Sequence, residues 1–205
     1  VSFRCRTFQE NAKSMNIFAV DKDPEVAACC LQQKHQKMIL ETAQILSTAH
    51  VVLDGKKVAY GATHKNHPSC VWVRDSIENY NWLVEYGLAA TAEFKRRSGR
   101  EHASGVIIKQ LPRKHPRAYD SRSLTPVRLA IADHLKINSG ETWAEVISAY
   151  KYYYSVDKLF FEQKDGSIVW NSWINSDPPE WFVSFWLKFG MKVRQVTPDT
   201  ISVRF

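Results

Sequence analysis

A chain of 205 residues that is 44% hydrophobic and 12% aromatic carries enough apolar side chain to bury a core without a disulfide framework. Its 28 Lys and Arg against 21 acids leave a net charge of +7, which suits a polyanionic partner such as nucleic acid. Cys5, Cys29, Cys30 and Cys70 show no framework spacing, and neither a signal-peptide pattern nor an apolar run of roughly 18 residues is present. The expectation is a cytoplasmic protein with no membrane partner, its protein partners undefined by the sequence.

Residues 1–14 mix charges and isolated aromatics without a period and read as an N-terminal extension; residues 15–205 read as one helical domain. The predicted fold class is mainly α, a compact helical single domain with a few short β-strands near the termini. A short strand is predicted at 17–20. Asp23 is placed to cap a helix that starts at Pro24 and runs to about residue 50. Along it Ala27, Leu31, His35, Met38, Thr42, Ile45 and Ala49 recur at steps of three or four and so share a face.

A turn at Asp54-Gly55 and a polar link lead to a second long helix, predicted over 67–99. Trp72, Ser76, Asn79, Leu83, Gly87, Ala90 and Phe94 line one face of it, and the small residues Gly87 and Ala90 invite close approach by the first helix. Residues 109–126 form a basic loop broken by three prolines, followed by a short helix predicted over 125–136. Thr142 and Glu145 have capping-box spacing for a helix to about residue 163, rich in core aromatics. The segment 166–205 is aromatic and ends in a hairpin with Pro198-Asp199 at its turn.

Three constellations carry candidate chemistry. Lys34, His35, Lys37 and Glu41 bring amines, an imidazole and a carboxylate to one helix, a kit for attack on a sugar C1′ or for acid–base work. The plain alternative is a Lys37–Glu41 surface pair worth a few tenths of a kcal/mol. His67, at a helix N-terminus, together with Trp72, Arg74 and Asn79, suits a phosphate or a base edge; the alternative is core and intrahelical pairing. Arg113, Lys114, Arg117 and Tyr119 in the basic loop can track phosphates and stack a base, or be a solvated surface.

His64, His67 and Cys70 recur every three residues but lack a second ligand pair, so no metal site is predicted. No cofactor motif is found. A Gly-rich phosphate loop, a nucleophile-elbow serine and a zinc-deaminase signature are all missing, which removes support for those three enzyme classes.

Met15-Asn16-Ile17-Phe18, Asp21, Asp23-Pro24, Lys34-His35, the run from Lys37 to Glu41, Asn66-His67-Pro68, Trp72, Arg74, Asn79-Tyr80, Trp82-Leu83 and the run from Glu93 to Gly99 resemble a group of phage and bacterial proteins distantly similar to the pyrimidine-dimer DNA glycosylase (phage endonuclease) family. The resemblance covers 15–102. It implies a helical domain that binds DNA, flips a nucleotide and forms a Schiff base between an amine and C1′ with help from a carboxylate. In that family the amine is the chain's own N-terminus after Met removal, and the carboxylate lies in the first helix. Here fourteen residues precede Met15, Lys37 stands where the ungapped match places the carboxylate, and Glu41 follows one turn on. The implied enzyme is a DNA glycosylase/AP-lyase-like protein acting on a damaged or modified pyrimidine, with Glu41 as carboxylate, Lys37 or Lys34 as amine and His35 as proton carrier. A non-catalytic DNA-binding accessory protein and an enzyme modifying nucleotides or DNA bases are the alternatives.

Overall fold

The computed structural model describes residues 15–32, 37–111, 115–158, 160–162, 168–170, 173–189, 192–197 and 200–204. The predicted extension, 1–14, lies outside them. Seven helices make the described body: α1 (Pro24–Cys29), α2 (Lys37–Asp54), α3 (Pro68–Asp75), α4 (Ile77–Ser98), α5 (Ala103–Gln110), α6 (Trp143–Val156) and α7 (Glu180–Leu187). Helix α2 packs on α3, α4 and α5, α1 lies against α4, and α6 meets α7.

The predicted first helix is broken in two. Asp23 does cap α1, its carboxylate accepting the Glu25 and Val26 N–H groups with Pro24 in the first turn. Beyond Cys29 the main chain is captured from outside. The Arg97 guanidinium donates to the carbonyls of Cys29 and Leu31, the Trp173 indole to that of Cys30, and the Gln32 N–H to the Tyr154 hydroxyl. Carbonyls held this way are satisfied without a continuing helix. The apolar stripe survives the break: Ala27, Leu31, Met38, Thr42, Ile45 and Ala49 are all buried.

The second predicted helix also divides, at Ser76. That residue is extended (φ −157°, ψ 148°), and its hydroxyl accepts the Glu78 N–H to cap α4. Helix α4 then runs to Gly99, whose φ of +69° supplies the left-handed terminus that glycine favours. At Gly87 an added Cβ would stand 2.7 Å from Thr42 Cγ2 and 3.0 Å from Ile108 Cδ1, so α2, α4 and α5 converge where a side chain is missing. Helix α5, for which no element is predicted from the sequence, seats Gly105 directly on Thr91 of α4.

The expected strands need correction. Residues 16–20 are buried but irregular, closing short bonds within themselves, Ala19 N–H to the Ile17 carbonyl and Val20 N–H to that of Phe18. Asn16 is held instead by Glu41, Tyr150 and the Ala130 carbonyl. An apolar run surrounded by helices finds burial without a partner strand, and the fold is a mainly helical single domain with no sheet in its body. Among the described residues antiparallel pairing is confined to two ribbons, β1 (Phe160–Glu162) with β2 (Ile168–Trp170) between α6 and α7, and β3 (Lys192–Thr197) with β4 (Thr200–Arg204) after α7. The helix predicted over 125–136 is replaced by irregular backbone and one 3-10 turn at Asp133–Leu135. The Thr142–Glu145 capping box opens α6, which stops at Val156 rather than near 163.

Candidate active site

Glu41 sits one turn into α2 with its side chain 13% exposed. One carboxylate oxygen accepts the Asn16 main-chain N–H at 3.0 Å, and the other lies 3.5 Å from Lys37 Nζ. Lys37 is more than half exposed, so the pair joins a solvent-reachable amine to a sheltered carboxylate. Burial raises the pKa of the Glu41 carboxyl above the usual carboxylate value, while the charge of Lys37, the Asn16 N–H and the charge of His64 pull it back.

His64 is a residue the sequence reading weighed only as a metal ligand. Its backbone is left-handed (φ 47°), which for a non-glycine residue costs about 1–3 kcal/mol and persists only where surroundings enforce it. The enforcement is visible. Thr63 N–H donates to Thr48 Oγ1 on α2 at 3.1 Å, the His64 carbonyl accepts the His67 N–H at 2.8 Å, and Arg74 Nη2 donates to the Lys65 carbonyl at 2.9 Å. Thr63 Oγ1 and His64 Nδ1 are 2.6 Å apart. This loop brings an exposed imidazole to the Glu41 side of α2.

His67 is the N-cap of α3, and its Nδ1 accepts the Ser69 N–H at 3.2 Å. The ring therefore occupies the amide position that a phosphate was expected to take, and burial lowers its pKa. Arg74 clamps the loop, as above. Trp72 and Asn79, expected to touch nucleic acid, are framework instead. Both are fully buried; the Trp72 indole donates to Thr125, and Asn79 donates to the Trp72 carbonyl and Thr125 Oγ1 while accepting the Thr125 N–H.

Arg117 and Tyr119 belong to the other end of the molecule. The Arg117 N–H is bound by Asp54, the last residue of α2, which at 1.5 Å per residue places this region about 25 Å from Lys37. With His115 and Arg122 they line a cleft of about 280 Å³ at the start of α4, and the Tyr119 hydroxyl donates to the Val73 carbonyl. Lys34, His35, Arg113 and Lys114 lie outside the described residues. Among the candidates, then, Lys37 and Glu41 meet each other; His67 and Arg74 brace the neighbouring loop; Arg117 and Tyr119 stand apart.

A helical domain with an exposed amine beside a sheltered carboxylate has the equipment of enzymes that attack an electrophilic carbon through nitrogen. Residues 15–104 match the family model described as pyrimidine dimer DNA glycosylase, a stretch somewhat under half of the 205 residues that includes Asn16, Lys37, Glu41, His64 and His67. The match supports a glycosylase- or lyase-like enzymatic role. No curated protein and no solved structure matches the chain. Among the described residues no helix is long and apolar enough to cross a membrane.

Proposed function

We propose that the protein is a DNA glycosylase/lyase-like enzyme that removes a damaged or modified pyrimidine, with Lys37 as the amine and Glu41 as the carboxylate. The observation that carries this reading is the Lys37–Glu41 contact inside the segment that matches the glycosylase family. A flipped nucleotide would present C1′ to Lys37. Once Lys37 has lost a proton to solvent, its nitrogen bonds to C1′ as the N-glycosidic bond breaks, and the departing base takes a proton from water. Glu41 receives the next proton from nitrogen and returns it to the ring oxygen as the sugar opens, leaving a protonated iminium. The net charge of +7 and the Arg117–Arg122 cleft would hold the DNA backbone.

A second assignment of the amine rests on the Asn16 N–H that Glu41 accepts. Scission of the Met15–Asn16 peptide bond would turn that nitrogen into an α-amine already within hydrogen-bond reach of the carboxylate. Borohydride reduction in the presence of abasic or pyrimidine-damaged duplex tests both. A covalent adduct mapped by mass spectrometry to Lys37 supports the first assignment, and one mapped to Asn16 the second. Tight duplex binding with no adduct on any damaged DNA overturns the enzymatic reading in favour of a binding protein.

A further inference from the structure

Lys37 faces in two directions. Away from Glu41 it borders a cleft of about 450 Å³ whose other walls are Leu40, Phe94, Arg100, Glu101, His102 and Ser104. Of the charged groups in this wall Lys37 and Arg100 are positive and Glu101 alone is negative, and Glu101 is paired with Lys95 at 2.6 Å, while Glu93 nearby is held by Arg96 and Arg97. Arg100 is exposed, and its guanidinium carbon lies 5.9 Å from the centroid of the Phe94 ring, which His102 meets edge-on at 5.3 Å.

His102 also caps α5. Its Nδ1 accepts the Ser104 N–H at 3.3 Å and its carbonyl accepts the Gly105 N–H at 2.9 Å. An imidazole that accepts through Nδ1 carries its proton on Nε2, so the ring offers a donor on its other side. The first amide of the helix, that of Ala103, has no partner among the described residues and stands at the positive end of the helix dipole. An aromatic wall, an exposed guanidinium, the imidazole that caps α5 and a lysine thus share one opening.

We propose that this cleft seats one nucleoside 5′-phosphate unit, the phosphate on Arg100 and the His102 Nε2–H, the base against Phe94. Stacking on an aromatic ring accepts any base, and a guanidinium beside it serves phosphate or a base plane equally well. The inference deepens the glycosylase reading and rests on it for its role: a flanking nucleotide gripped here would hold the next sugar at Lys37.

Thymidine 5′-monophosphate and thymidine, titrated separately into the full chain by calorimetry at low salt, test the seat directly. The monophosphate is expected to bind at least tenfold more tightly than the nucleoside. Arg100→Ala should erase that preference, Phe94→Leu should weaken both ligands several-fold, and melting temperatures establish that each variant is folded. On abasic duplex, Arg100→Ala should raise KM several-fold. No monophosphate binding, or binding indifferent to Arg100, overturns the seat even if adduct forms normally. Arg100-dependent binding with no adduct on any DNA overturns the glycosylase reading and leaves the seat standing.

Discussion

At the start of α4, Asn79 uses its amide to tie Trp72 to Thr125, and the neighbouring His50 Nε2 lies 2.9 Å from the Tyr80 hydroxyl, both fully enclosed. At the far end of the same helix Arg97 is enclosed in the same way, but on either side of it in the chain Phe94, Arg100 and His102 open onto solvent beside Lys37. Polar residues in an apolar stripe therefore have two fates here. Where every donor and acceptor has a protein partner the group is structural; where a charged atom remains exposed beside a sheltered one the group is available for chemistry.

Substitutions at the two kinds of position should separate cleanly. Glu41→Gln keeps an acceptor for the Asn16 N–H but removes the charge, and it should slow adduct formation about a thousandfold while duplex affinity by anisotropy and the melting temperature stay near wild type. Arg97→Ala should do the reverse, costing about 3–5 kcal/mol in denaturant titrations because two enclosed carbonyls lose their donor and Glu93 keeps only Arg96. Asn79→Ala should cost about 1–3 kcal/mol by the same measurement, with unchanged duplex affinity per folded molecule. Gly87→Ala should cost about 1–3 kcal/mol by pressing on Thr42 and Ile108.

The smallest effect is in pH. Glu41 has a raised folded-state pKa, so between the ordinary carboxylate value and the folded one the native protein holds a proton that the unfolded chain has released. Stability contributed by this group consequently falls as pH rises through that interval and recovers below it. Glu41→Gln should flatten that slope in a series of melts. The acid limb of adduct formation, which requires the ionised carboxylate, should lie above the usual carboxylate range.

Local features were legible in the sequence. The three-and-four spacing from Ala27 to Ala49 marks a buried face, Asp23-Pro24 and Thr142–Glu145 start helices as capping rules require, and Lys37 and Glu41 are four apart and pair. What was illegible depends on distant partners. Arg97 ends the first helical run from 66 residues away, and Asn16 reaches Glu41 across 25. Ser76 fits the periodic face of a continuous helix yet caps a new one, because its hydroxyl is taken by the Glu78 amide. Trp72 and Asn79 looked available only because Thr125, 53 and 46 residues on, could not be placed beside them. The His64 loop is strained by bonds from Thr48, His67 and Arg74, a property no residue-type pattern encodes.

The guanidinium of Arg97 behaves as a buckle. By gripping Cys29 and Leu31 it fastens the stretch leading toward α2 to the very turn of α4 that carries Phe94. The wall of the opening at Lys37 on which Phe94 stands is thereby anchored to the end of α1.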